Sequence, residues 1–156
     1  MIARTFAVAS AAAVAAISGT GTAASARAES PSGKDTQSRA TITARSTRYG
    51  RILFDGSGRA LYAFTRDRRG GASRCYGACA QAWPVYFAKG RLLAGTTVKQ
   101  SLIGTTRRRD GRLQVTYDGL PLYYFVKDRR GEVKCQGVAE FGGTWLVVRP
   151  SGQVVR

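Results

Sequence analysis

The chain has 156 residues, of which 25 are lysine or arginine and 9 aspartate or glutamate, giving a formal net charge of +16; it contains no histidine, one methionine and three cysteines. Those absences exclude histidine-based acid–base catalysis, a zinc set built on imidazole and covalent haem attachment through C-x-x-C-H. The charge speaks for solubility and loose association with anions, and by itself it names no site.

Arg4, the apolar run Thr5 to Ile17 and a small-residue cleavage site, Ala24-Ser25-Ala26 or Ala26-Arg27-Ala28, have the form of a secretory signal. Residues 1–28 are therefore read as a signal peptide, and the mature protein is expected outside the cytoplasm, secreted or periplasmic. The run falls well short of the ~20 apolar residues a spanning helix needs. The first cysteine, Cys75, stands too late to carry a lipid at the end of such a signal, so no membrane anchor is expected. Residues 29–47 are polar, with Pro31, Gly33 and many serines and threonines but no apolar periodicity, and read as a flexible leader. Residues 48–156 make one domain's worth of chain.

Within that domain, Arg51 to Phe54, the turn Asp55-Gly56-Ser57-Gly58, and Ala60 to Thr65 predict a β-hairpin. A basic loop, Arg68 to Gly77, leads to a short helical turn over Ala78 to Trp83, stopped by Pro84. A brief strand over Val85 to Ala88 follows, and Leu92 to Arg109 offers Leu92, Leu93, Val98, Leu102 and Ile103 for a core. Leu113 to Tyr117 with Pro121 to Val126 predicts a second hairpin, and Thr144 to Arg149 with Gln153 to Val155 a third. The second half repeats the first: Tyr123, Phe125 and Asp128 stand sixty-one positions after Tyr62, Phe64 and Asp67. Each set lies in a Leu-Tyr-x-Phe-x-x-Asp-Arg-Arg-Gly phrase, and Trp145 follows Trp83 by sixty-two. The expected fold is all-β: two pseudo-symmetric repeats, about 48–90 and 110–156, of antiparallel hairpins in one small sandwich or barrel-like domain.

Tyr62 and Phe64, like Tyr123 and Phe125, share one strand face and are expected in the core, where each is worth roughly 2–3 kcal/mol, rather than on an aromatic ligand platform. Asp67 and Asp128 sit at the opposite parity, placed to cap the Arg-Arg-Gly turns. Convergence of the two carboxylates would instead create a pair fit for acid–base work or a hard cation. Arg68, Arg69, Arg129 and Arg130 oppose that reading, since they would keep both acids ionised and repel a metal. No metal and no cofactor is expected. A helical turn brings the α-carbons of Cys75 and Cys79 to about 6 Å, within disulfide range, which leaves Cys135 for a mixed disulfide or a dimer. Arg107-Arg108-Arg109, with the two Arg-Arg pairs, forms a candidate anion-binding edge. Export argues against nucleic acid as the biological partner.

Several ordered landmarks carry a resemblance: Tyr62-x-Phe64-x-x-Asp67 and Tyr123-x-Phe125-x-x-Asp128, with Cys75-x-x-x-Cys79-Ala80-x-x-Trp83-Pro84 after the first and Gln136-Gly137-Val138 through Trp145 after the second. From about Gly50 to Val148 the chain resembles the bacterial secreted-repeat proteins, usually described as predicted lipoproteins with a Tyr-x-aromatic-x-x-Asp motif. The resemblance implies an extracytoplasmic β-rich repeat protein and no activity. It departs from the family in lacking a lipid-attachment cysteine and in placing Cys135 where a polar turn residue is expected. The functional expectation is an envelope-associated binding or structural module that prefers anionic envelope polymers. A redox or electron-transfer accessory using Cys75, Cys79 and the aromatic faces is the second reading, and an enzyme ranks third.

Overall fold

A computed structural model describes residues 41–156. The expected signal peptide and most of the expected polar leader lie outside the described residues. The chain runs β1 (Ile42–Thr47), β2 (Gly50–Asp55), β3 (Tyr62–Phe64), helix α1 (Ala78–Ala82), a 3-10 turn (Gln100–Leu102), β4 (Ile103–Arg107), β5 (Leu113–Tyr117), β6 (Leu120–Pro121), β7 (Val138–Glu140) and β8 (Gly143–Val147). The strands form three antiparallel sheets in the orders β1-β2, β3-β8-β7 and β4-β5-β6, and no closed barrel is present among the described residues.

Strand β1 corrects the boundary expected for the leader, because residues 42–47, expected within it, form a strand. Its sequence is too polar to announce itself, yet Ile42 and Thr43 are buried and the whole strand pairs with β2 from Ile42 opposite Asp55 to Thr47 opposite Gly50. The first two expected hairpins are also only partly made. Phe54 bridges Ala60, and Leu61 donates its N–H to Leu53 at 3.1 Å, after which β3 leaves for β8. Likewise β5 pairs β6 at Thr116 and Pro121, and the chain then turns away at Tyr123. Both departures have one cause: Tyr62 and Tyr123 pair with each other, exchanging backbone N–H to carbonyl bonds of 2.9 Å in each direction. The third hairpin closes as expected, with Val148 bridging Val154. Val85 to Ala88 makes isolated bridges from Val85 to Tyr123 and from Phe87 to Gln114 in place of a strand.

Strand alternation feeds two cores. Ile52, Phe54, Tyr62, Phe64, Tyr123, Trp145 and Val147 enter an aromatic cluster that also holds Trp83, Cys75 and Cys79. Their neighbours Leu53, Leu61, Ala63, Leu122 and Val148 enter an aliphatic one with Ile42, Val98, Val115 and Tyr117. Because side chains alternate across a strand, a layer covered on both faces reads as a continuous apolar run, which accounts for Ile52-Leu53-Phe54 and Leu61 to Phe64.

Candidate functional site

The repeated phrase is an interlock between the repeats. Tyr62 donates its hydroxyl to Asp128 Oδ2 at 2.6 Å, and Tyr123 donates to Asp67 Oδ2 at 2.5 Å. The other carboxylate oxygens accept backbone N–H groups from the loops that follow, Arg74 to Asp67 at 2.7 Å and Lys134 to Asp128 at 3.1 Å. Phe64 stacks on Trp145 with centroids 4.2 Å apart, Trp145 on Trp83 at 3.9 Å, and Trp83 meets Phe125 at 4.9 Å, so each phenylalanine packs on the other repeat's tryptophan. Even the closing glycines cross over, Gly70 N–H to the Gly119 carbonyl and Gly131 N–H to the Gly58 carbonyl, both at 2.8 Å. Gly119 has φ +72°, and a Cβ there would meet Gly70 N at 2.7 Å, so that approach requires glycine.

Asp67 and Asp128 share no hydrogen-bond partner, and no group of three or more potential metal ligands occurs among the described residues. Burial raises both carboxyls above the usual range, against the lowering effect of the tyrosine and backbone donors. Arg68, Arg69, Arg129 and Arg130, expected to keep the two acids ionised, are exposed and are not among the groups that chiefly shift them. The cations that lower them are Arg108 and Arg74 at Asp67 and Lys134 at Asp128. Cys75 and Cys79 are bonded, with α-carbons 5.3 Å apart, and are buried in the aromatic cluster. Cys135 is unbonded and half-buried, and burial pushes its thiol up.

The interlock is symmetric, but its surroundings are not. Around Asp67 the network continues outward: Ser73 Oγ lies 2.7 Å from the Tyr123 hydroxyl and accepts from Arg108 Nη1 at 2.7 Å. Arg108, just past β4, also donates from Nη1 to Gln114 Oε1 and from Nη2 to the Cys75 carbonyl, both at 2.7 Å. Arg108 lines a cleft of about 500 Å³ with Arg68, Arg74, Arg107, Arg109, Ser73 and Tyr76. Arg108 and Arg109 set their guanidinium carbons 4.3 and 4.6 Å from the Tyr76 ring centroid. None of these five arginines forms a salt bridge among the described residues, where the three pairs are Arg69 with Asp118, Arg112 with Asp110 and Lys134 with Glu132.

Sixty-one positions away in register, Ser46, Thr47, Arg48 and Tyr49 face Gly131 to Lys134 across a cleft of about 610 Å³. There Thr47 stands in the place of Arg108, and Lys134 is neutralised by Glu132 at 2.7 Å. The duplicated fold thus builds the same cleft twice and makes one of them arginine-rich. Of the predicted basic residues, Arg68, Arg107, Arg108 and Arg109 come together. Arg69 turns away to Asp118 and the Gly152 carbonyl, and Arg129 and Arg130 are exposed beyond the second interlock. The sequence reading passed over Arg74, Ser73, Tyr76 and Gln114. Arg74 and Ser73 immediately precede Cys75, and that adjacency to a fixed loop was the available signal.

A two-repeat antiparallel β protein whose Tyr-x-Phe-x-x-Asp phrases clasp one another is the class that this geometry defines. The chain belongs to the family described as a secreted repeat of unknown function, whose model matches residues 43–86 and 104–149, one match per repeat. No curated protein and no solved structure matches the chain. No helix among the described residues is long and apolar enough to cross a membrane.

Proposed function

We propose that the protein is an extracytoplasmic binding module that associates with anionic polymers of the cell envelope through the arginine-rich cleft. One observation carries this reading: five arginines, none of them ion-paired, line a single cleft whose pseudo-symmetric counterpart holds one arginine, Arg48, and a lysine paired with Glu132. Like charges gathered without acids repel one another, and an anion spanning them removes that repulsion and releases its own counterions. Arginine suits the task, since its planar fork matches phosphate and carboxylate oxygens. The reading concerns binding. The redox alternative gains nothing from Cys75 and Cys79, which are 0% and 7% exposed and closed to a dithiol reductant.

The test is retention of the mature protein on immobilised polyphosphate and on a sulfated glycan as salt is raised. Retention at low salt that is lost steeply with salt is expected. Arg107→Gln with Arg109→Gln should lower the slope of log affinity against log salt by about 2, and Arg129→Gln with Arg130→Gln should leave it nearly unchanged. Equal effects of the two double substitutions would show that net charge alone is responsible, and absence of retention would refute the proposal.

A further inference from the structure

The floor of the cleft is more specific than its rim. Arg108 is 5% exposed, its three Nη contacts are all to uncharged oxygens, and its Nε–H has no acceptor among the described residues. Buried cations are ordinarily matched by an anion, because desolvation is otherwise uncompensated. Here the matching carboxylate is held back: Asp67 is reached only through Ser73 and Tyr123. The three contacts fix the guanidinium in one orientation, so little freedom remains to be lost when a ligand arrives. Over it lies the half-exposed ring of Tyr76, on a loop anchored on both sides by the Cys75–Cys79 bond.

We infer that Arg108 is the floor of a discrete site for a tetrahedral oxyanion, a phosphate or sulfate ester group. The ligand displaces the Tyr76 ring from the guanidinium and sets one oxygen in the guanidinium plane, where it accepts the Nε–H, while Arg107 and Arg109 close on its remaining oxygens from the rim. A tetrahedral group offers oxygens in the several directions these arginines require, whereas a planar carboxylate offers two in one plane. This rests on the anion-binding reading and adds to it the ligand chemistry and the residue that selects it.

The test is a titration of the uniformly 15N-labelled mature protein with inorganic phosphate, sulfate and acetate at constant ionic strength, following the arginine Nε–Hε signals. The Arg108 signal should move downfield and saturate with phosphate and with sulfate, and stay in place with acetate. Arg108→Lys, which keeps the charge and removes the Nε–H, should weaken phosphate binding by about tenfold. Should that variant not fold, the wild-type signal decides alone. An Arg108 signal that ignores phosphate while polyphosphate resin still retains the protein overturns this site and leaves the general reading intact. An equal response to acetate overturns the selectivity, and absence of polymer retention together with an Arg108 signal that ignores phosphate overturns both. A response to free phosphate and sulfate without retention on the polymer overturns the general reading and assigns the site to small oxyanions.

Discussion

Each motif residue answers a requirement set by the other repeat. A buried carboxylate is costly unless donors surround it, and Asp67 and Asp128 each receive one hydroxyl from across the pseudo-twofold and one amide from their own loop. Removing the hydroxyl with Tyr62→Phe or Tyr123→Phe should cost about 1–3 kcal/mol in urea unfolding. In double-mutant cycles Tyr62→Phe should couple to Asp128→Asn and not to Asp67→Asn; coupling within a repeat would mean the pairs are not exchanged. A pH effect follows as well. A folded-state carboxyl pKa above the unfolded one gives a contribution that is fully present below the unfolded value and is lost as pH rises through the folded value. Relative to Asp67→Asn with Asp128→Asn, the wild type should therefore gain melting temperature between pH 7 and pH 4, and a relative loss on acidification would show that ion pairs dominate at these sites. The aromatic spacing of two and the acid after it were legible in the sequence. Which tyrosine serves which aspartate was not, since both lie in identical local phrases and only the crossing at Tyr62 and Tyr123 decides.

At the scale of elements, the short helix and the disulfide matched expectation because their determinants are local, a following Pro84 and a cysteine spacing of four, although Cys75 lies in the loop before the helix and not on one of its turns. Replacing Cys75 and Cys79 with serine should cost about 2 kcal/mol in denaturant midpoint terms by chain entropy for so short a loop, and a loss near zero would mean that the aromatic cluster holds the loop unaided. Strand partners were less legible. Strand β3 has the alternation of a hairpin arm, but its register is set by Val147, Leu146 and Trp145 of β8, some eighty residues away. Strand β1 was missed because Thr43 and Thr47 look like linker residues, yet Thr43 is buried against Asp55. The candidate cleft was half legible: the Arg107–Arg109 run stood out, but its meeting with the loop before Cys75 depends on two hairpins that the sequence does not place side by side.

As a whole molecule, the protein is a duplication in which neither half completes a core. Trp83 of the first repeat lies between Trp145, on which it stacks, and the tilted ring of Phe125 in the second, and its indole N–H donates to Glu140 at 2.9 Å. Such a centre exists only when both repeats are present, and it carries, on one side, the cluster of five arginines from which binding is inferred. The scaffold is thus symmetric where it provides stability and asymmetric where it can recognise a partner. The most direct test divides the chain between the exposed residues Thr96 and Thr97 and follows tryptophan near-ultraviolet circular dichroism. Each fragment alone should lack the signal of fixed tryptophans, and mixing them in equal amounts should restore that of the intact protein; a native-like signal from either fragment by itself would contradict the interlock.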